Sequence, residues 1–506
     1  MANHMQSVSC QIMREIENSA FALGHSPESL MRQAGKRMAE TLLRYYPCSR
    51  HAIAYLGKGH NAGDALVILM HLAQAGWRVE LRLSTPLDQL APLTGKMYDE
   101  LRVSPLDAPP AVTNSTLLLD ALLGIGAEGP LRPPLSDAAA EMNTLRQSFG
   151  CSTIAIDTPS GINADTGECY ANSVLADHTL SIGFPKSGIL TENALPQVGA
   201  ISHITLDALT DQAPTTSPDN ALSLITHQSL TRIKRPFDTH KGQAGRVGIW
   251  AGSAGMLGAA ALCASAALKA GAGLVTLHLP SSLYPSITPL LPPEIMVALD
   301  TSPDSLLNKN YDAIVIGPGI GKPEPELEDA LMDLISQTQI PMVIDADMLN
   351  VIARSQLLYN ISKTAILTPH PGEMQRLMPT TTSREATAKL FSERYPCTLL
   401  YKGARTLVAN ADSPIFANST GSPAMATAGQ GDVLAGLISA LCAQNYPPLE
   451  AAKTAAWLAG EAAMLALADG SESTETLTAS SVISYLHHAF EAIPAKPPQP
   501  QSSANQ

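Results

Sequence analysis

From Val8 to about Leu206, short apolar runs alternate with longer stretches whose apolar residues recur at helical spacing. The runs at 51–56, 78–83, 116–120, 152–156 and 178–182 predict strands, with helical segments such as 64–75 between them. That alternation predicts a parallel sheet with crossover helices. A second series of the same kind predicts strands at 246–250, 274–278, 313–316, 342–344, 365–367 and 399–401. Residues 207–220, between the two series, are polar and proline-bearing and predict a linker. The proline-rich end of the chain predicts a disordered tail. The expected organisation is therefore α/β throughout: a first domain over 1–215, a second over 216–492 and a tail over 493–506, with no sequence repeat between the halves.

Composition narrows the class of function. The 506 residues leave room for about two to four full-sized domains, and 45% hydrophobic with 15% charged residues is ordinary for a globular protein. A net charge of −13 argues against a general nucleic-acid or membrane-surface binder, without excluding small anions held in local pockets. The seven cysteines, at 10, 48, 151, 169, 263, 397 and 442, form no CxxC pair. They read as reduced thiols in a cytoplasmic compartment and provide no metal cage. Residues 1–17 lack the basic-then-apolar order of a signal peptide. The longest apolar run, 258–268, is too short for a membrane span and reads as a helix buried against a sheet.

Chemistry gathers where strands end. In open α/β sheets ligands collect at the carboxyl ends of the strands. In the first half, Gly57-Lys-Gly-His60-Asn61-Ala62-Gly63-Asp64 follows the first strand. Asp120 ends the third and runs into Gly124-Ile125-Gly126-Ala127-Glu128-Gly129-Pro130, and Asp157 with Thr-Pro-Ser160-Gly161 ends the fourth. Each alone is an ordinary cap or turn; together at one sheet edge they predict a polar site suited to a carboxylate acid–base beside a hard monovalent cation.

The second half is richer. Ala251-Gly-Ser runs on to Gly258-Ala259, Gly317-Pro-Gly319-Ile-Gly321 follows the third strand, and Asp345-Ala-Asp347-Met-Leu-Asn350 follows the fourth. Leu367-Thr-Pro-His370-Pro-Gly372-Glu373 and Lys402-Gly403-Ala404-Arg405-Thr406 come next, and Ala428-Gly429-Gln-Gly431-Asp432 opens a small-residue apolar helix. A glycine turn at a helix N-terminus is an anion site, because free N–H groups and the helix dipole favour phosphate. A carboxylate in that setting reads as a base for a hydroxyl about to attack a phosphoryl group, with a helix-capping Asp as the plainer alternative.

In this joint order of motifs the chain resembles the NAD(P)H-hydrate repair family in its fused form. There a Rossmann-like three-layer α/β epimerase domain precedes an ADP-dependent dehydratase of the ribokinase-like superfamily. The most specific motifs are Leu367–Glu373, Asp345–Asn350 and Ala428–Asp432 in the second half, and Asn61–Asp64 and Ile156–Gly161 in the first. The resemblance implies that residues 60–64 and 124–130 embrace the hydrated cofactor. It also implies that Asn61, Asp120 and Ser160 ligate potassium and that Asp157 is the epimerase acid–base. In the dehydratase it implies that Ala259, Gly319, His370 and Asp432 line the hydrate site, and that Lys402 to Thr406 with Gly431 hold the nucleotide phosphates. Mg²⁺ is expected with ADP, as in phosphoryl transfer generally.

Two departures stand out. His60-Asn-Ala-Gly-Asp-Ala65 replaces the family's Asn-Asn-Gly-Gly-Asp-Gly, so that Cβ atoms at Ala62 and Ala65 narrow a turn normally glycine at both positions, and Ala251-Gly-Ser replaces Gly-Gly-Ser.

The implied activity is repair of NADHX and NADPHX. The epimerase equilibrates the R and S hydrates, and the dehydratase phosphorylates the C6 hydroxyl of the S form at the expense of ADP and then eliminates phosphate. Asp432 would act as base there, with the Gly429–Gly431 amides and Lys402 binding the phosphoryl charge. The resemblance also implies a homo-oligomer. The alternative is a vitamin- or sugar-type kinase of the ribokinase-like fold with a non-catalytic N-terminal binding domain.

Overall fold

The computed structural model describes residues 5–101, 111–212, 222–300, 302–307, 309–355, 357–380 and 382–496. The chain divides into two compact units, one over 3–224 with 468–471 and one over 225–467 with 472–506. Part of the expected linker (213–220), the expected boundary at 215/216 and the end of the expected tail (497–506) fall outside the described residues. Within the described parts, Asp207–Thr210 is a short helix. Ala495–Lys496 pairs in parallel with Arg232–Ile233, so those tail residues form strand.

The first unit is built on a six-stranded sheet in the order Arg78–Leu83, His51–Leu56, Thr116–Ala121, Ser152–Ile156, His178–Ile182, Ala200–Ile204. All its neighbours are parallel. Alternate residues feed opposite faces. Ala52, Ala54 and Leu56 pack with helices Cys10–Ala22, Pro27–Tyr45 and His60–Gln74 on one side. Ile53 and Tyr55 pack with Leu135–Phe149 on the other. Three layers result, and the strands are apolar on both faces because both faces are covered. Ala200–Ile204 is an additional strand beyond those expected.

The strand order reverses between His51–Leu56 and Thr116–Ala121, the place where an open parallel sheet leaves a crevice. The helix after the first of these begins at His60 rather than at 64, with Gly59 as its N-cap. Ala62 and Ala65 are fully buried within it. Residues 60–64 are thus a helical turn, not a loop, and alanine is at home there. Both Cβ atoms are enclosed in the core of that unit.

In the second unit, strands follow the order Phe416–Asn418, Leu407–Ala409, Thr398–Tyr401, Ala365–Leu367, Met342–Ile344, Ala313–Ile316, Arg246–Trp250, Leu274–Leu279, Met296–Leu299. Pairing is parallel from Thr398–Tyr401 to Met296–Leu299, and Leu407–Ala409 and Phe416–Asn418 extend the sheet antiparallel. This is the expected α/β architecture with additional strands at both edges. Its order reverses between Arg246–Trp250 and Ala313–Ile316.

Against one face lie the helices Leu257–Lys269, Gln430–Ala443, Pro448–Ala468 and Ala479–Ala492. The first two are rich in small residues and come very close together. A Cβ at Gly436 would stand 2.2 Å from the carbonyl oxygen of Cys263, so glycine is required by that backbone approach. Among the described residues no helix is long and apolar enough to cross a membrane.

Candidate active sites

At the first crevice the chain brings Asn61, Asp120 and Ser160 together. The Ser160 amide and hydroxyl donate to the two Asp120 carboxylate oxygens, both at 2.7 Å, and Leu122 N adds a third bond at 3.2 Å. Leu123 links the others: its amide donates to Ser160 Oγ at 3.0 Å, and its carbonyl accepts from Asn61 Nδ2 at 2.8 Å. Asp120 is 0% exposed, and burial, partly offset by Ser160, pushes its carboxyl up to about 6. Asn61 Oδ1 is buried without a hydrogen-bond partner. An orphaned amide oxygen beside a buried carboxylate and a hydroxyl is an all-oxygen donor set that fits a hard monovalent cation.

Asp157 has other partners and a backbone in the left-handed region at φ 66°. Its carboxylate accepts from Ile182 N at 3.0 Å and from the Lys186 ammonium, which also donates to Ile182 O at 2.9 Å. Lys186 is 1% exposed. Around the pair, burial raises the Asp64 carboxyl well above its ordinary value, with Asp157 and Glu17 adding repulsion. Burial also raises that of Glu17. Neither Lys186 nor Glu17 was picked out from sequence. The only available signal was a lone lysine in Gly183-Phe-Pro-Lys186-Ser-Gly188, and its partner lies 29 residues away. His60 is exposed on the helix start, and the 124–130 loop is at the surface apart from partly covered positions, with Gly126 against Arg14.

In the second unit the expected residues gather at the other crevice. A Cβ at Gly319 would lie 3.0 Å from Ala259 Cβ, which places these two in contact. Asp432 sits in the first turn of Gln430–Ala443, whose N-cap is Gly429 at φ 91°. It is therefore not a capping Asp; the cap is a glycine in a conformation that disfavours side chains. A Cβ at Gly431 would lie 3.3 Å from Lys402 Nζ and 3.7 Å from Asp345 Oδ2, so the glycine helix start faces that ion pair.

Lys402 Nζ donates to Asp345 Oδ1 at 2.7 Å and lies 3.8 Å from Glu373 Oε2. Burial works to lower the Lys402 pKa, but Asp345 and Glu373 hold it above the usual lysine value. Asp432 moves the other way: burial and then Asp345 push its carboxyl up to about 6, against the pull of Lys402. A carboxylate poised there is suited to take a proton near neutral pH.

His370 N-caps Pro371–Leu377, its Nδ1 accepting from Gly372 N at 3.0 Å and Glu373 N at 3.3 Å. Nδ1 is thus the acceptor and the ring proton belongs on Nε2, 3.4 Å from Glu373 Oε1. Burial and then Lys402 lower the His370 pKa, favouring this neutral form.

The 402–406 segment turns under a clamp. Arg384 donates to the carbonyls of Tyr401 and Lys402 at 3.0 Å and of Arg405 at 3.1 Å, with its guanidinium 4.7 Å from the Tyr401 ring centre. Gly403 and Ala404 are exposed, whereas Arg405 is buried and its carbonyl is taken by Arg384, so the open part of this turn is Gly403 and Ala404. Asp345 and Glu373, which the sequence places in motifs without a role, supply the carboxylates around Lys402, and Arg384 is the residue here that the sequence reading left out. Among the described residues no group of three His, Cys, Asp or Glu side chains forms a metal cage.

Both halves of the chain match known families. Residues 27–188 match the model of the YjeF-related protein N-terminus, and residues 247–485 match that of NAD(P)H-hydrate dehydratase. The chain is 34% identical to the bifunctional NAD(P)H-hydrate repair enzyme of Moorella thermoacetica, over 86% of this chain and 87% of that one. With the Synechocystis enzyme of the same name it shares 31% identity, over 91% of this chain and 90% of the relative. Among solved structures, an ADP/ATP-dependent NAD(P)H-hydrate dehydratase from Bacillus subtilis, co-crystallized with ATP/Mg²⁺, is 29% identical. It covers 53% of this chain and 98% of its own, with a TM-score of 0.47. Identity above 30% over most of both chains, and family matches in both units, make this chain a member of the bifunctional NAD(P)H-hydrate repair enzyme family.

Proposed function

We propose that the chain repairs hydrated nicotinamide cofactors with two active sites. Residues 1–215 would form the epimerase domain and 216–492 the dehydratase domain. In the first site Asp157 acts as acid–base for inversion at C6 of NADHX or NADPHX. It gives a proton to the hydroxyl, which leaves as water with push from the ring nitrogen, and takes a proton from the water that adds back to the opposite face. R and S forms are thereby interconverted, while residues 60–64 and 124–130 border the substrate. Potassium fits Asn61, Asp120 and Ser160, and when bound it would supply a fixed positive charge beside the hydrated ring.

In the second site Asp432 takes the C6 hydroxyl proton of the S hydrate and the freed oxygen attacks the terminal phosphoryl group of ADP, releasing AMP. The Gly429–Gly431 backbone and Lys402 bind the charge on the transferring group, and the 402–406 backbone holds the nucleotide. Elimination then breaks the C6–O bond with push from the ring nitrogen. The C5 proton passes to water, phosphate departs and the C5=C6 bond returns. Ala259, Gly319 and His370 border the hydrate. Mg²⁺ would enter with the ADP phosphates, and Glu373, whose Oε2 lies 3.8 Å from Lys402 Nζ, is the carboxylate of this chain that would take part in holding it. When bound, the ion neutralises phosphate charge.

The observation that carries this reading is the convergence of Asp432, Lys402 and Asp345 at a glycine-led helix start. Seven free cysteines accord with a cytoplasmic location. Assembly into a homo-oligomer is part of the reading and is measured by analytical ultracentrifugation.

The test is recovery of absorbance at 340 nm from a mixed-epimer hydrate of NADH or NADPH, with Mg²⁺, K⁺ and ADP or ATP. Nucleotide-dependent recovery of nearly all the absorbance supports both activities. Recovery of the S fraction alone overturns the epimerase assignment. No recovery, with a phosphorylated product that persists, favours the small-molecule kinase.

A further inference from the structure

The C6 ring is only one end of a dinucleotide. A ligand held at Ala259, Gly319 and Asp432 must lead its diphosphate away along some wall of the same unit. Next to the dehydratase site is a cavity of ≈ 600 Å³ whose lining includes Gly321, Lys322, Asp347, Asn350, Arg354 and Arg376. Its walls are the loop after Ala313–Ile316 and the helices Asp347–Ser355 and Pro371–Leu377. Those segments also carry or adjoin Gly319 and His370. Gly321 on the cavity wall is two residues from Gly319, and Asp347 is two residues from Asp345, which accepts from Lys402 at 2.7 Å, so the cavity adjoins the proposed site along the chain.

The cations of this cavity are unequal. Arg354 is neutralised by Glu328 at 2.9 Å. Arg376 gives its Nε to the neutral Asn350 Oδ1 at 2.7 Å and makes no ion pair among the described residues. Lys322 is exposed and likewise has no ion pair among them. The one lining carboxylate, Asp347, has an oxygen occupied by the Gly321 amide at 2.8 Å. Beyond Lys322 the surface turns acidic at Glu324 and Asp329 and repels an anion, favouring the Arg376 side. An arginine fixed through Nε, with its terminal nitrogens unclaimed by carboxylate, is arranged for phosphate oxygens.

We propose that this cavity is the subsite for the diphosphate of the hydrated dinucleotide, with Arg376 and Lys322 as its anion-binding side chains. The assignment rests on the repair reading above. It separates the two phosphate-bearing ligands: ADP at 402–406, the hydrate's diphosphate between Gly321 and Arg376.

The full-length protein is assayed with the S hydrate of NADH, varying hydrate and ADP in turn, for wild type, Arg376→Ala and Lys322→Ala. Arg376→Ala raises KM for the hydrate about tenfold, and Lys322→Ala raises it less, with KM for ADP unmoved. Unchanged hydrate KM in both variants, or a rise in KM for ADP in place of it, overturns the subsite. A thermal unfolding scan checks Arg376→Ala; Lys322 is exposed and bears the test alone should that variant not fold. A wild type that shows no nucleotide-dependent recovery defeats the repair reading itself, whereas an active wild type with unaltered variants defeats only the subsite.

Discussion

The buried ammonium of Lys186 donates to the carboxylate of Asp157, so the proposed epimerase acid–base is tied to a cation that has almost no access to water. Removing one partner of such a pair leaves an uncompensated buried charge, a loss of about 3–5 kcal/mol. Lys186→Met therefore lowers the unfolding midpoint and mispositions Asp157. Full-length Lys186→Met recovers only the S fraction of a mixed hydrate at 340 nm, while its nucleotide-dependent rate on pure S hydrate stays at the wild-type level. Equal loss on both substrates would count against a role confined to the epimerase site.

Arg384 serves the other site in a comparable way, through three carbonyls of the segment it clamps. Hydrogen bonds from a charged donor contribute about 1.5–3 kcal/mol each, and their loss frees the 402–406 backbone. Arg384→Ala is expected to raise KM for ADP about tenfold or more and to leave KM for the hydrate near its wild-type value. Steady-state kinetics with each substrate varied in turn make the distinction. A variant altered equally in both would point to general unfolding.

These two side chains also mark where reading the sequence stops. The sheet strands at both crevices were legible because parallel strands covered on both faces are unbroken apolar runs, as in Ile53-Ala-Tyr-Leu56 and Ala313-Ile-Val-Ile316. The ligand-bearing loops were legible because glycine, aspartate and asparagine cluster just after those runs. Leu407–Ala409 and Phe416–Asn418 were missed because three-residue antiparallel strands have no periodicity to detect. The start of His60–Gln74 was missed because His, Asn and Gly are weak helix formers, and burial of Ala62 and Ala65 decides the matter instead. Lys186 and Arg384 are single charged residues that reach Asp157, 29 positions away, and the Tyr401 carbonyl, 17 positions away, and only the folded chain joins them.

Gly431 provides a case in which stability and function separate. It lies inside the first turn of Gln430–Ala443, where alanine is the better helix former by up to about 1 kcal/mol. The added Cβ stands 3.3 Å from Lys402 Nζ, at the face proposed for the phosphoryl group. Gly431→Ala should thus unfold at or above the wild-type temperature while its KM for ADP rises. Gly429→Ala should do the opposite to stability, since its φ is 91° and the new Cβ would meet Leu262 Cδ1 at 2.6 Å. Calorimetry beside ADP kinetics separates the two.

Asp432 joins stability to catalysis through its proton. With its carboxyl pushed up to about 6 by burial, the base is mostly protonated at pH 5 and mostly ionised at pH 7. Single-turnover dehydration of S hydrate should rise with pH, reach half its plateau near pH 6 and flatten above it. Asp432→Asn should lower that rate by about 10²- to 10⁴-fold. The stability sign is opposite. The folded chain holds this proton to higher pH than the unfolded chain, so unfolding free energy falls as pH rises from about 4 to about 6, by at most about 2–3 kcal/mol. Above that window the wild type retains a desolvated carboxylate whose charge the Asn variant lacks. Asp432→Asn should accordingly be inactive yet unfold at a higher temperature than wild type at pH 7.5, with the difference shrinking toward pH 4.5. Calorimetry at both pH values checks the sign, and a variant less stable at pH 7.5 would mean that Lys402 outweighs the desolvation of Asp432.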